Sequence, residues 1–133
     1  MCNAKYNAHT APLYKNNKIL AFGDLFKLQC VKIMYKKMQG TLRSYHCNQL
    51  NINVSESGIQ TRQKWDVQLK PVNNFLEINS INLKIGRSWN DLPFSIKDNN
   101  FKPIDTFTKH VKELYLSKYI TDCLIPSCYI CNL

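Results

Sequence analysis

The sequence predicts a small single α+β domain with two main amphipathic helices, a short antiparallel strand pair, a flexible N-terminal arm and a flexible C-terminal tail. Apolar residues recur near helical spacing over residues 25–38 and again over residues 105–119, which predicts the two helices. Apolar and polar residues alternate over residues 81–85, as they do in a half-buried strand. With 133 residues, of which 44% are hydrophobic, the chain is long enough for one modest core.

The N-terminal third contains the predicted arm and the first helix. Residues 1–17 are polar and basic and are interpreted as an arm. Asp24 is the expected N-cap, because its carboxylate can accept hydrogen bonds from amides of the first helical turn. Gly40 is a typical C-terminal stop. The predicted helix is amphipathic, and its spaced apolar residues are Phe26, Cys30, Ile33, Met34 and Met38.

The rest of the predicted domain, residues 18–120, continues with a long polar loop at about 46–66. Residues 67–69 are a short strand candidate that would pair with residues 81–85. Gly86 is expected to end the second strand, and residues 87–92 to form one helical turn before Pro93. Trp89 is interpreted as the packing anchor of this corner, since its large apolar body favours burial. The last helix is expected to be capped by Asp105 or Thr106, and its predicted inner face comprises Phe107, Val111, Leu114 and Tyr115.

Positive charge is concentrated at the start of the chain. The formal net charge is +9, and residues 1–45 hold eight Lys or Arg against one acid, Asp24. This bias favours a polyanionic partner such as RNA or DNA, with a lysine-rich solvated surface as the alternative. Lysine and arginine can neutralise phosphates without reading bases. The candidate phosphate contacts are Lys5, Lys15, Lys18, Lys36, Lys37, Arg43, Arg62 and Arg87.

The cysteines predict either a metal site or free thiols. The chain opens with no apolar signal segment, and no apolar run approaches the roughly 20 residues of a membrane span. We therefore expect a protein that is not secreted, is cytoplasmic or nuclear, and has reduced cysteines. In the tail, residues 121–133, Cys123, Cys128 and Cys131 have metal-like spacing. A structural zinc site takes four ligands, so these three would need His110 or Cys47 as the fourth.

No catalytic arrangement is apparent in the sequence. It has no glycine-rich phosphate loop, no Ser/His/Asp order and no pair of carboxylates suited to acid–base catalysis. The sequence therefore predicts that the chain is not an enzyme and needs no cofactor, with zinc left open.

Several short segments, in this order, resemble the C-terminal, post-polymerase region of reverse transcriptases from non-LTR (LINE-type, jockey-like) retrotransposons. Together with a cysteine-containing tail, which that family also has, they span roughly residues 9–131, nearly the whole chain. The segments are His-Thr-Ala-Pro-Leu-Tyr at 9–14, Ile-Leu at 19–20, Asp-Leu-Phe-Lys-Leu at 24–28, Met-Tyr-Lys at 34–36, Leu-Arg-Ser-Tyr at 42–45, Thr-Arg at 61–62, Ser-Ile through Gly to Trp-Asn-Asp-Leu-Pro at 80–93, Phe-Thr-Lys at 107–109 and Leu-Tyr-Leu at 114–116.

The chain also departs from that pattern. Arg43 stands where the family usually has proline, and residues 73–74 are neutral where the family has an Arg-Thr pair. The aspartate pair of the polymerase site and the endonuclease domain are both absent. The resemblance thus implies a non-catalytic fragment that helps to hold RNA or DNA beside an upstream polymerase domain. The alternatives are a structural or protein-interaction remnant without nucleic-acid binding, and a small zinc-stabilised domain.

Overall fold

The regular structure of the described chain is helical. The computed structural model describes residues 10–43, 65–69, 71, 73–98 and 102–119. Within these ranges it contains α-helices and no β-strand. The helices are α1 (Ala11–Asn16), α2 (Phe22–Met38), α3 (Phe75–Ile78), α4 (Ile81–Asn90), α5 (Phe94–Lys97) and α6 (Ile104–Ser117).

The predicted α+β class, with its antiparallel strand pair, is wrong. Residues 81–85 begin helix α4, which is capped where the Ser80 hydroxyl accepts a hydrogen bond from the Leu83 amide at 3.4 Å. Ile85, Trp89 and Leu92 are buried at helical spacing, whereas Ile81 is 51% exposed. The alternation over residues 81–85 therefore does not mark a strand, because these residues begin a helix whose buried side chains repeat at helical spacing. Residues 67–69, the other predicted strand, lie in the described chain without forming one.

Helix α2 begins earlier than predicted and ends as predicted. Its N-cap is Ala21, so the prediction of Asp24 as the cap is wrong. Asp24 lies instead in the first turn, where a negative charge complements the helix dipole. At the other end Gly40 has a φ of 68°, its amide donates to the Lys37 carbonyl, and the Thr41 amide donates to the Lys36 carbonyl. This is a Schellman motif, and it confirms Gly40 as the stop signal.

Helices α2 and α6 pack antiparallel in the core. Near the end of α2 the Tyr35 ring stacks on Phe107, close to the start of α6, with 4.0 Å between ring centroids. Near the start of α2 the Ala21 amide donates to the Tyr119 hydroxyl, just beyond the end of α6, at 2.7 Å. The predicted inner face of the last helix is confirmed, with Phe107, Val111 and Tyr115 buried. Its N-cap is Pro103 and not Asp105 or Thr106.

Two predicted peripheral regions are described only in part. Within the predicted arm, residues 11–16 form α1, and Tyr14 packs edge-on against Tyr119 with 6.2 Å between ring centroids. Residues 1–9 of the arm lie outside the described residues. So do residues 44–64, which include most of the predicted polar loop, and the whole tail from 121 to 133.

Candidate nucleic-acid interface

The end of helix α4 holds residues 65–67 against the core through side-chain hydrogen bonds. The buried Trp89 donates from Nε1 to the Trp65 carbonyl at 2.7 Å. Asn90 Oδ1 accepts from the Val67 amide at 2.8 Å, and Asn90 Nδ2 donates to the Val67 carbonyl at 3.0 Å. The Asn90 amide thus satisfies both backbone groups of Val67, as a neighbouring strand would. The interpretation of Trp89 as a packing anchor is confirmed, since its side chain is 0% exposed.

A buried lysine and a glycine complete this arrangement. Lys97 is 2% exposed, and its Nζ donates to Asp66 Oδ1 and to the Asn90 carbonyl. Gly86 gives Leu69 room, because a Cβ at residue 86 would lie 2.5 Å from Leu69 Cδ2. We call the set formed by Trp89, Asn90 and Lys97 on residues 65–67 the Trp-Asn latch. The latch is structural, since Trp89, Asn90 and Lys97 use their side-chain polar groups in hydrogen bonds within the protein.

The outer face of α2 is aromatic at its start and basic towards its end. Phe22 is 85% exposed and Phe26 is 38% exposed, one helical turn apart. Gln29, Ile33 and Lys36 continue the same helical row. Lys32 flanks this row and is half-buried, while Lys36 is exposed.

Helix α4 extends this face with two cations. Lys84 Nζ lies 5.8 Å from the centroid of the Phe26 ring, which joins the outer surfaces of α2 and α4. Arg87 is exposed one turn further along α4. We call this surface the basic–aromatic face. It comprises Phe22, Phe26, Lys36, Lys37, Lys84 and Arg87.

The charge on these helices is uneven. Helix α2 has four lysines and one acid, Asp24, which pairs with Lys27 at 3.5 Å. Helix α4 has Lys84 and Arg87 and no acid, whereas α6 balances two lysines with Asp105 and Glu113. The positive potential of the described helices is therefore concentrated on α2 and α4.

The predicted phosphate-binding residues fall into three groups. Lys36, Lys37 and Arg87 lie on α2 and α4 and belong to the basic–aromatic face. The structure does not place the others together with them on that face. Lys15 lies on α1, Lys18 follows α1 and is exposed, Arg43 follows α2 and is exposed, and Lys5 and Arg62 lie outside the described residues.

The predicted binding residues did not include Phe22, Phe26 and Lys84. Phe22 fell before the predicted helix start, which hid its four-residue spacing from Phe26. Lys84 was assigned to a strand, so its one-turn relation to Arg87 was not apparent. A helix starting at the Ser80 cap would have revealed that relation.

The predicted metal ligands cannot be placed in this arrangement. Cys123, Cys128 and Cys131 lie outside the described residues, as does Cys47, and zinc remains a prediction. Among the residues that are described, no three His, Cys, Asp or Glu side chains are grouped to hold a metal ion. His110 is half-buried on α6.

Two core side chains, Cys30 and Tyr115, have pKa values raised towards their neutral forms. Cys30 is buried, and desolvation raises the pKa of its thiol, which disfavours the reactive thiolate. Desolvation also raises the pKa of Tyr115 to about 12, aided by the nearby Asp24 and Asp91 carboxylates. These shifts accompany packing and generate no nucleophile or general base at neutral pH.

Comparisons with known proteins add no family or function. The chain matches no family model, no curated protein and no solved structure. In the described part of the chain, none of the helices combines the length and apolar character required to cross a bilayer.

Proposed function

We propose that this chain is a non-catalytic nucleic-acid-binding module that contacts RNA or DNA through the basic–aromatic face. In this proposal it is an accessory fragment of a non-LTR retrotransposon reverse transcriptase and would act beside an upstream polymerase domain. The single observation that supports binding most directly is the meeting of α2 and α4 on one exposed surface, with Lys84 over Phe26.

The face has the charge and length to follow a phosphate backbone. From Phe22 to Lys36 the axis of α2 rises about 21 Å, the length of about six stacked nucleotides. Lys36, Lys84 and Arg87 would neutralise phosphates along this length without distinguishing bases. The affinity should therefore fall steeply with salt and depend little on sequence.

Charge reversal on the basic–aromatic face, compared with charge reversal on α6, tests this proposal. We expect Lys36→Glu with Arg87→Glu to lower the affinity for a labelled oligonucleotide at least tenfold and to reduce the salt slope by about 2. The measurement is fluorescence anisotropy at several salt concentrations. Both residues are exposed, but each glutamate would lie in the last turn of a helix and oppose its dipole, so the unfolding free energy should fall by about 1–2 kcal/mol while the chain stays folded.

The matched control is Lys109→Glu with Lys112→Glu on α6, which changes the net charge by the same amount. If both pairs weaken binding equally, net charge alone controls affinity and the face has no special role. A wild-type chain that binds no nucleic acid at low salt rules the proposal out.

A protein-interaction function is the second candidate, and α3 is the observation that favours it. Phe75 is 77% exposed and Leu76 is 76% exposed, adjacent in a four-residue helix. Exposed apolar pairs of this kind suit a protein partner, such as an upstream domain. The salt titration distinguishes the two functions. A folded chain that binds no nucleic acid at low salt would favour the protein-interaction function.

A further inference from the structure

The aromatic residues of the basic–aromatic face indicate more about its ligand than its positive charge does. Phe22 lies in the first turn of α2 and is 85% exposed, so its burial contributes little to the core. Phe26, one turn later on the same face, is 38% exposed and has the Lys84 ammonium 5.8 Å from its ring centroid. A cation is thereby held over the Phe26 ring, one turn along α2 from the more open Phe22.

We propose that this face selects single-stranded nucleic acid, with an unpaired base stacking on Phe22. This inference rests on the proposed function and specifies its ligand. Open aromatic rings in a positively charged groove bind single strands because every unpaired base offers a π-face for stacking. The bases of a duplex are already stacked on one another, so a duplex would use the cations of the face and not its aromatic rings.

The two rings have different roles in this arrangement. Lys84 covers the Phe26 ring, which leaves Phe22 as the open stacking surface. Lys84, beside Phe26, then lies about one turn along α2 from a base stacked on Phe22, and Arg87 follows one turn further along α4 as a second cation for the strand's phosphates. Lys84 belongs to α4 and Phe22 to α2, so binding of a single-stranded nucleic acid depends on the packing of these two helices.

The acid in the first turn of α2 does not oppose a base on Phe22. Asp24 lies two residues from Phe22, and its carboxylate pairs with Lys27 at 3.5 Å. The side chain of Asp24 is only 24% exposed, whereas that of Lys27 is 53% exposed. A polyanion approaching Phe22 therefore meets a compensated charge at this point.

The experiment compares Phe22→Ala with Phe75→Ala, an equally exposed phenylalanine in a helix that contains no lysine or arginine. Each variant of the full chain is titrated with an unstructured strand of about 15 nucleotides and with the duplex of the same sequence. We expect Phe22→Ala to weaken single-strand binding about tenfold, to change duplex binding less than twofold, and to leave the salt slope unchanged. Phe22→Trp should restore or strengthen single-strand binding, and Phe75→Ala should change neither affinity.

The possible outcomes separate this inference from the proposed function. If the wild type binds duplex as well as single strand and Phe22→Ala weakens neither, single-strand selection is refuted while nucleic-acid binding stands. If Phe75→Ala weakens binding as much as Phe22→Ala, stacking at this face is also refuted. If the wild type binds neither probe at low salt, the proposed function itself fails. Circular dichroism of each variant checks that the helices are intact, and Phe22→Leu, which removes the ring but keeps an apolar side chain, supplies the second variant if Phe22→Ala unfolds.

Discussion

The Trp-Asn latch and the basic–aromatic face share one ten-residue helix and differ in what their side chains contact. On α4, Trp89 and Asn90 are turned to the protein and satisfy backbone groups of residues 65–67. Lys84 and Arg87 lie on the other surface, towards Phe26 and solvent. The part of α4 with the most distinctive sequence therefore holds the fold together. Its less distinctive cations are the candidates for binding.

Removing the anchor of the latch should have the largest effect. We expect Trp89→Ala to lower the unfolding free energy by about 3–5 kcal/mol, because the buried indole leaves a cavity and its hydrogen bond to Trp65 is lost. Urea unfolding followed by circular dichroism measures the change. A loss below about 1 kcal/mol would contradict the role of Trp89 as an anchor, since it would then contribute little more than an exposed residue.

The amide of the latch should have an intermediate effect. We expect Asn90→Ala to cost about 1–3 kcal/mol, because it leaves the Val67 amide and carbonyl without their partner. Asn82→Ala, the same substitution earlier in the same helix, is the control, and helix propensity alone predicts a gain of about 0.7 kcal/mol or less. Equal changes at the two positions, measured by urea unfolding, would contradict a specific role for Asn90.

Substitution of Gly86, which lies close to Leu69, should have the smallest effect on the unfolding free energy. Alanine is about 1 kcal/mol better than glycine inside a helix, but its Cβ would lie 2.5 Å from Leu69 Cδ2. Leu69 is 38% exposed and can move, so we expect Gly86→Ala to leave stability nearly unchanged. In a Leu69→Ala background the same substitution should stabilise the protein by about 1 kcal/mol. Thermal or urea unfolding of the double-mutant cycle measures this coupling, and equal effects in both backgrounds would exclude it.

In α2 the predicted apolar pattern included Phe26, which is 38% exposed, but in the last helix local pattern and tertiary packing agree. Phe107, Val111 and Tyr115 repeat at four-residue intervals, and all three are buried. Gly40 could be recognised because the left-handed backbone of a helix stop favours glycine. The burial of Trp89 followed from side-chain size. The candidate site was predicted only in part, since Lys36 and Arg87 lie on the face while their aromatic partners were not identified.

The sequence by itself determined the main helices α2 and α6, the stop at Gly40 and the excess of positive charge at the start of the chain. The tertiary structure decided between strand and helix at residues 81–85, because five residues satisfy both periodicities and the Ser80 cap and buried Trp89 favour the helix. It also decided which groups meet. Lys84 reaches Phe26 across two helices, and Asn90 pairs with Val67 at a separation of 23 residues. Such contacts depend on chain packing, which no local pattern encodes.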